Sequence, residues 1–300
     1  MSSHRPFRFG VVAGYTRSAD DWVARARRVE ALGFSTLVVP DGLRFTLAPW
    51  PALIAAAAVT RTLRVGTYVL NNDARHPVMV AKDAASVDLL SDGRLELGIG
   101  AGRPGADVDN RMLGLSFDQG SVRVARLAEA VSLLKPLLSG ETVSRKGTHY
   151  AVEGAEVSPK PAQQPHPPIL IAGIGRQMLS LAAREADIVA LALQPGDNEA
   201  AVAEKIDFLR EAAGERFDQL ELNVNLMAVG DQVPQYVARQ LGLSAKGLAE
   251  AGAVPAVVGT VDEMCQTLEQ RRQRFGISYF LVGDELMDTF APVVERLAGR

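Results

Sequence analysis

The stretch Gly93-Arg94-Leu95-Glu96-Leu97-Gly98-Ile99-Gly100-Ala101-Gly102-Arg103-Pro104-Gly105 (GRLELGIGAGRPG) decides how this chain is read. An apolar run leads into glycines at alternating positions, then a charge. Taken literally, Gly100 to Gly105 fits G-x-G-x-x-G, the phosphate cradle of dinucleotide-binding folds. That cradle needs its glycines in the turn between the first strand and an immediately following helix. Here Pro104 and Gly105 interrupt, residues 106–110 (ADVDN) show no apolar periodicity, and the run is the fourth strand of the chain, not the first. Its glycines read instead as clearing room at the carboxyl end of a barrel strand.

On either side, short aliphatic runs alternate with helical patterns, the signature of stacked β-α units and a parallel sheet. Strands are expected at 7–12, 36–40, 63–70, 94–100, 168–173, 187–193, 221–229 and 278–283. Their near-continuous apolar character suits strands covered on both faces. The first four begin at intervals of roughly 30 residues, one β-α unit each. Between them, Ser18 with Asp21 and Thr260 with Glu263 mark helix starts of the capping-box type. Pro77 opens a helix running to about Leu90.

Eight such units form either a closed barrel or an open doubly wound sheet. Eight strands close a barrel whose interior side chains can fill, and the (β/α)8 TIM-type barrel, an α/β fold forming a single domain over 1–300, is the preferred reading. The rhythm breaks twice: after strand four, where a long helix (118–138) and the Pro/Gln-rich SPKPAQQPHPP intervene, and at 231–258 between strands seven and eight. Excursions of this kind in a compact domain are usually lids or site-forming insertions.

Composition limits the function classes. With 47% hydrophobic and 22% charged residues, the 300-residue chain is a soluble globular protein. A net charge of −3 gives it no electrostatic reason to seek nucleic acid or an anionic membrane. No apolar run is long enough for a signal peptide or a membrane span, so the cytoplasm is the expected compartment. The lone Cys265, on a polar helix, reads as structural. The four histidines are scattered, so no metal site is expected.

In either fold the ligand sits at the carboxyl ends of the strands. Those ends carry Ala13-Gly14, Asp41-Gly42, Asn71-Asn72-Asp73, Gly100-Ala101-Gly102, Gly173-Ile174-Gly175-Arg176, Gln194 and Gly283-Asp284. Small residues and amides admit a flat or phosphorylated ligand without supplying a strong acid or base. Gly173 to Arg176 feeds directly into an amphipathic helix, a pattern that serves either as an anion cradle or as a plain tight turn. Asp41 is the carboxylate placed squarely at a strand end; it is the candidate catalytic residue, or else a cap or ion pair. His76 before Pro77 reads as a helix-entry residue or one supporting the site from behind, with a catalytic role as the alternative, and His149 beside Tyr150 as packing or lid. A mouth so poor in acids, bases and nucleophiles points to a bound cofactor that carries the chemistry.

With these segments in place the chain resembles the luciferase-like monooxygenase superfamily, particularly its coenzyme F420-dependent oxidoreductase branch. The resemblance rests on LGFSTLVVPDG (32–42), LRVGTYVLNNDARHPVMVAKDAASVDLLSDGRLELGIGAG (63–102) and PPILIAGIGRQMLSLAAREADIVAL (167–191), and spans nearly the whole chain. It implies a TIM-type barrel binding a deazaflavin (coenzyme F420) or FMN, acting on a small organic substrate, usually as a homodimer. It also implies a non-prolyl cis peptide in strand three, at Tyr68–Val69, supporting the cofactor ring, with Asn71 hydrogen-bonding the ring edge. Gly100 and Ala101 would leave room beside the ring, and Gly173, Ile174, Gly175 and Arg176 would hold the phosphate. Many relatives carry Asp-His after strand two where this chain has Asp41-Gly42, so a histidine proton donor is missing there. The activity implied is hydride transfer through F420; the alternatives are an FMN-dependent monooxygenase and a cofactor-free binding protein on the same barrel.

Overall fold

The computed structural model describes residues 5–44, 47–102, 105–173 and 175–300. From the amino terminus the chain forms β1 (Arg8–Val12), α1 (Ala19–Ala31), β2 (Thr36–Val39), α2 (Pro49–Ala58), β3 (Arg64–Thr67), β4 (Leu70–Asn71), α3 (Pro77–Leu90) and β5 (Leu95–Gly100). There follow α4 (Ala106–Met112), α5 (Gly120–Ser139), β6 (Val143–Lys146), β7 (Ala151–Ala155), β8 (Ile169–Gly173), α6 (Arg176–Glu185), β9 (Ile188–Leu191) and α7 (Glu199–Ala213). The chain ends with β10 (Glu221–Leu226), β11 (Ala228–Val229), α8 (Gln235–Leu241), α9 (Ala245–Glu250), β12 (Ala256–Val257), α10 (Val261–Phe275), β13 (Ile277–Gly283) and α11 (Met287–Leu297). All eight expected barrel strands are present, and β2, β5 and β9 are buried along their whole length.

Two compact units make up the chain, each drawn from separated segments. The first comprises Met1–Ala13, Arg27–Leu37 and Gly173–Arg300. Within it β1, β13, β10 and β9 pair in parallel, in that order. Its core is aromatic: Phe7 and Phe9, two residues apart and so on one side of the chain, stack at 5.8 Å, and Phe290 meets Phe9 edge-on at 5.4 Å. The second comprises Gly14–Ala26 and Val38–Ala172. There β3 pairs with β5, and β5 with β8, again in parallel. Alanine-rich faces of α2 and α3 (Ala56, Ala81, Ala84, Ala85) and the leucines of α5 fill its core.

Local signals set several element ends. Ser18 Oγ accepts the Asp21 N–H at 3.1 Å, and Thr260 and Glu263 form the full reciprocal capping box of α10. Gly276, at φ 75°, ends α10 in the left-handed region.

Four expectations change. Strand three is not continuous over 63–70: it breaks after Thr67 and resumes as β4, with a cis peptide between Tyr68 and Val69. The strand expected over 221–229 breaks too, and its end, β11, pairs with β12 in a separate two-stranded sheet. The excursion after β5 contains an antiparallel hairpin, β6–β7, as well as the long helix and the Pro/Gln-rich run. A short helix, α4, forms over the ADVDN run; Asp109 and Asn110 are buried there, so tertiary contact supplies what the pattern lacks. Arg103 and Pro104 lie outside the described residues.

Candidate active site

The strand ends of the second unit converge on the β3–β4 break. The Tyr68 N–H donates to the Val39 carbonyl at 2.9 Å, tying the break to β2. On the other side, the Thr67 hydroxyl donates to the Gly98 carbonyl at 2.6 Å and accepts the Gly98 N–H at 2.9 Å. Such a double clasp requires the two backbones to approach closely, and a Cβ on Gly98 would lie 2.0 Å from the Thr67 carbonyl oxygen. Gly100, the next residue on the same face of β5, serves the same purpose. A Cβ there would stand 2.8 Å from Val69 Cγ2, so the room it leaves is occupied by Val69. Gly98 and Gly100 therefore admit the neighbouring β3–β4 segment, and Gly100 acts on the mouth through Val69, whereas a Cβ on Gly102 would meet Arg123.

Asp41 follows β2 and is already engaged on both oxygens. Its Oδ2 accepts the Asn71 N–H at 2.9 Å and a guanidinium N–H of Arg75, and its Oδ1 accepts the second Arg75 nitrogen at 3.0 Å. A bidentate arginine pair is rigid and directional. The geometry makes Asp41 the anchor of the Asn71 segment, the ion-pair alternative of the sequence reading.

Asn71 is held at both ends of its amide: Oδ1 accepts the Asp73 N–H at 3.2 Å and Nδ2 donates to Asn110 Oδ1 at 3.2 Å. The fully buried Asn110 donates in turn to Asp73 Oδ2 and to the Ser116 carbonyl. Arg126 of α5 bridges Asp73, at 2.6 Å, and Asp118. Its hydrogen bond holds the Asp118 carboxyl below the usual carboxylate range. The Arg123 guanidinium lies over the Phe117 ring at 4.1 Å and donates to the Ala101 and Gly102 carbonyls, so α5 clamps the end of β5.

Tyr150, immediately before β7, reaches the same region. Its hydroxyl accepts from Asn72 Nδ2 at 3.2 Å and its ring meets His76 edge-on at 5.5 Å. Burial pushes the phenol above its ordinary pKa, so Tyr150 stays protonated at neutral pH. His76 caps α3, its Nδ1 accepting the Val78 N–H at 3.3 Å, which is the helix-entry role expected of it.

Sequence reasoning missed Arg75, Asn110, Arg123 and Arg126. Only Arg75 had a legible signal, as the charge in the strand-end turn Asp73-Ala74-Arg75-His76-Pro77. In this wall Asp41, Asp73 and Asp118 are each paired with an arginine. It is built to position a ligand rather than to exchange protons with it.

In the first unit, β8 runs through Gly173 into α6, with Gly175 as its N-cap. Ile174 lies outside the described residues. Gly173 is demanded by the protein itself, since a Cβ there would stand 2.8 Å from Met178 Cβ. Gly175 is not: its φ is −72°, open to any residue, and a Cβ would meet nothing within 4 Å. A glycine that neither backbone conformation nor packing requires, at the start of a helix, suits close approach of an anionic group to backbone N–H donors. The Arg176 guanidinium stacks on Phe208 of α7, 4.0 Å from the ring centroid.

Known proteins share this architecture. The family model for luciferase-like monooxygenases matches residues 4–241. The chain belongs to the luciferase-like monooxygenase family. An F420-dependent glucose-6-phosphate dehydrogenase of Beutenbergia cavernae is 34% identical over 191 residues, which span 58% of this chain and 54% of that relative. The chain thus aligns with about half the length of that curated relative. Among solved structures, a coenzyme F420-dependent tetrahydromethanopterin reductase from Methanopyrus kandleri superposes with a TM-score of 0.76 at 18% identity, over 98% of this chain and all of that one. A riboflavin lyase crystallised with modified FMN and riboflavin gives 0.79 at 14% identity, over 98% and 93% of the two chains. The fold of this luciferase-like protein is accordingly the (β/α)8 barrel. Among the described residues, no helix is long and apolar enough to cross a membrane.

Proposed function

We propose that this luciferase-like protein is an oxidoreductase that binds coenzyme F420 and acts on a small organic substrate. The observation that carries the reading is Gly175, a helix-capping glycine whose missing side chain serves no need of the fold. The choice of coenzyme is supported by the F420-dependent relative at 34% identity. When bound, the deazaflavin supplies the centre that takes up or delivers hydride. The chain's own task is to hold it and to orient the substrate.

The Gly173–Arg176 turn is assigned to the phosphate, with backbone N–H groups at the start of α6 as donors. Tyr68, Val69 and Asn71 are assigned to the ring, with Gly100 at the end of β5 and Ala101 just after it supporting them. Asp41 acts as a positioning residue that holds Asn71. Exposed Met79, Leu89 and Leu90 on α3 are the apolar surface that a homodimer would cover.

Calorimetric titration of the purified protein with F420 and with FMN tests the reading. Binding of F420 at micromolar concentration or tighter is expected, and at least tenfold weaker binding in Gly175→Val with an unchanged Tm. Gly173→Val is the wrong probe despite its place in the turn, because its side chain collides with Met178. Tight FMN binding with none for F420 would overturn the assignment in favour of flavin chemistry, and binding of neither would leave a cofactor-free barrel.

A further inference from the structure

Around Asn71 the second unit carries apolar side chains on three segments that polar contacts hold to the strand ends. Asp41 is fastened to the Asn71 N–H and to Arg75, and Arg44 Nε stands 4.0 Å from Asp109 Oδ1 of α4. Leu43, between these two ties, is 49% exposed. α4 is fixed by Asn110, whose side chain accepts from Asn71 and donates to Asp73. Leu113 ends that helix in helical geometry, at φ −85° and ψ −3°. Its spacing puts it on the stripe of Ala106, Asp109 and Asn110, the buried side of α4, yet it is 44% exposed. Phe117 follows, its ring under the Arg123 guanidinium and its Cε2 3.6 Å from where a Cβ on Gly102 would stand; it is 36% exposed.

Single exposed leucines are ordinary on a protein surface. These three residues differ because the contacts that place their segments converge on one amide at the carboxyl ends of β4 and β5. An apolar patch bounded by polar residues, at the end of a barrel that takes its ligand, marks a binding surface. The arginines beside it are already engaged within the protein. Arg75 serves Asp41, Arg126 serves Asp73 and Asp118, Arg44 lies against Asp109, and Arg123 donates to the Ala101 and Gly102 carbonyls. An anion arriving here would have to take an arginine from one of these partners, whereas hydrocarbon gains simply by covering the three side chains.

We propose that this rim receives the hydrocarbon part of an uncharged, chiefly apolar substrate, with Leu43, Leu113 and Phe117 as its specificity-determining contacts. That the occupant is the substrate rests on the oxidoreductase reading above; the three side chains are separate from those assigned to the coenzyme.

Titration calorimetry with decan-2-one, an uncharged aliphatic ketone, and separately with glucose 6-phosphate tests this, with saturating F420 and again with coenzyme omitted. With F420 present, the ketone is expected to saturate a single site per chain, with an enthalpy that grows more negative on warming, as burial of apolar surface requires. The phosphate is expected not to saturate. Leu113→Ser should weaken ketone binding roughly fivefold, and Leu43→Ser/Leu113→Ser further, with Tm and F420 affinity unchanged. Met112→Ser should leave ketone binding unchanged: Met112 is the more exposed neighbour, at 60%, but lies off the stripe that bears Leu113. Failure of the ketone to bind under either condition would overturn the proposal, as would tighter binding of glucose 6-phosphate or undiminished ketone binding in Leu113→Ser. A halved mass of Leu113→Ser in light scattering would overturn it too, making the rim an interface between copies of the chain. F420 binding without ketone binding sinks the apolar site alone; ketone binding without F420 binding sinks the coenzyme assignment alone. Should Leu113→Ser fail to fold, Leu43→Ser, on a different segment, decides by the same loss.

Discussion

Asp41 shows how a single residue changes meaning once its neighbours are known. A carboxylate at a strand end in a mouth otherwise lacking acids reads as catalytic from sequence. In the fold its two oxygens take up Arg75 and the Asn71 N–H, and the group becomes a brace. Only about a tenth of its side chain is exposed. Removing Arg75 would leave that charge without its counterion, which for buried pairs costs roughly 3 kcal/mol or more. Arg75→Ala is therefore expected to lose about 3 kcal/mol in urea denaturation, reduced somewhat because Arg75 itself is partly exposed. The double variant Asp41→Asn/Arg75→Ala should recover some of the loss, because no ionised group is then stranded. A loss below ~0.5 kcal/mol in the single variant would show the pair to be of the weak surface kind.

The same scale explains why the resemblance names a superfamily and says little of substrate. Part of the middle segment that carries it, Asp88-Leu89-Leu90-Ser91-Asp92-Gly93-Arg94, is scaffold. Asp88 accepts the Gln163 N–H at 2.8 Å and the Gln163 side-chain amide at 2.6 Å. Arg94 ties down the Ala57, Leu63 and Ser91 carbonyls. These contacts hold the amino end of β5, the end remote from the mouth.

At the scale of elements, the helices that announced themselves are those with local chemistry at their ends. α10 has its capping box and its left-handed glycine, and α3 has Pro77 and its His76 cap. The Glu263 carboxyl is held below its ordinary value by hydrogen bonds from the Thr260 backbone and side chain. A depressed folded-state pKa adds stability above the group's unfolded pKa and loses it as pH falls through the folded one. Thr260→Ala should therefore lower Tm at pH 7, and the deficit should shrink as the pH falls below the ordinary glutamate value of 4.5. Thermal melts from pH 7 to 3 check this; a deficit that stays constant would detach the cap from the Glu263 charge.

The hairpin β6–β7 escaped reading because it is mostly exposed, with no alternation of apolar and polar positions to mark it. α4, α8 and α9 are seven, seven and six residues long. Helices of that length depend on tertiary contact rather than on their own propagation. α9 and the β11–β12 pair share a small core of Ala228, Ala245, Leu248, Ala253 and Ala256, which gives the second excursion its order.

For the whole molecule, eight buried parallel strands with helices between them make the barrel, and the two interruptions of that rhythm carry its individuality. The excursion after β5 supplies Asn110, Arg123, Arg126 and Tyr150 to the wall around Asn71. The one between β10 and β13 supplies a wall of a cavity beside Arg271. If the exposed apolar residues of α3 form the proposed homodimer, light scattering should give twice the chain mass. Leu90→Glu, at a position 70% exposed, should then shift the protein toward monomer without lowering its folded content. A monomeric wild-type protein at micromolar concentration would remove that assembly.

What the sequence alone determined was the rhythm: eight strand segments, the caps of the long helices and the glycine turns, because each follows from interactions among residues close along the chain. It also placed the strand ends where a ligand would meet them. What tertiary structure decided was the partner of every charged side chain near those ends. Asp41 and Arg75 are 34 positions apart, and Asp73 and Arg126 are 53. Electrostatic pairing acts over a few ångströms of space whatever the distance along the chain, so whether a carboxylate is a catalyst or a brace is settled only when the strands are in register.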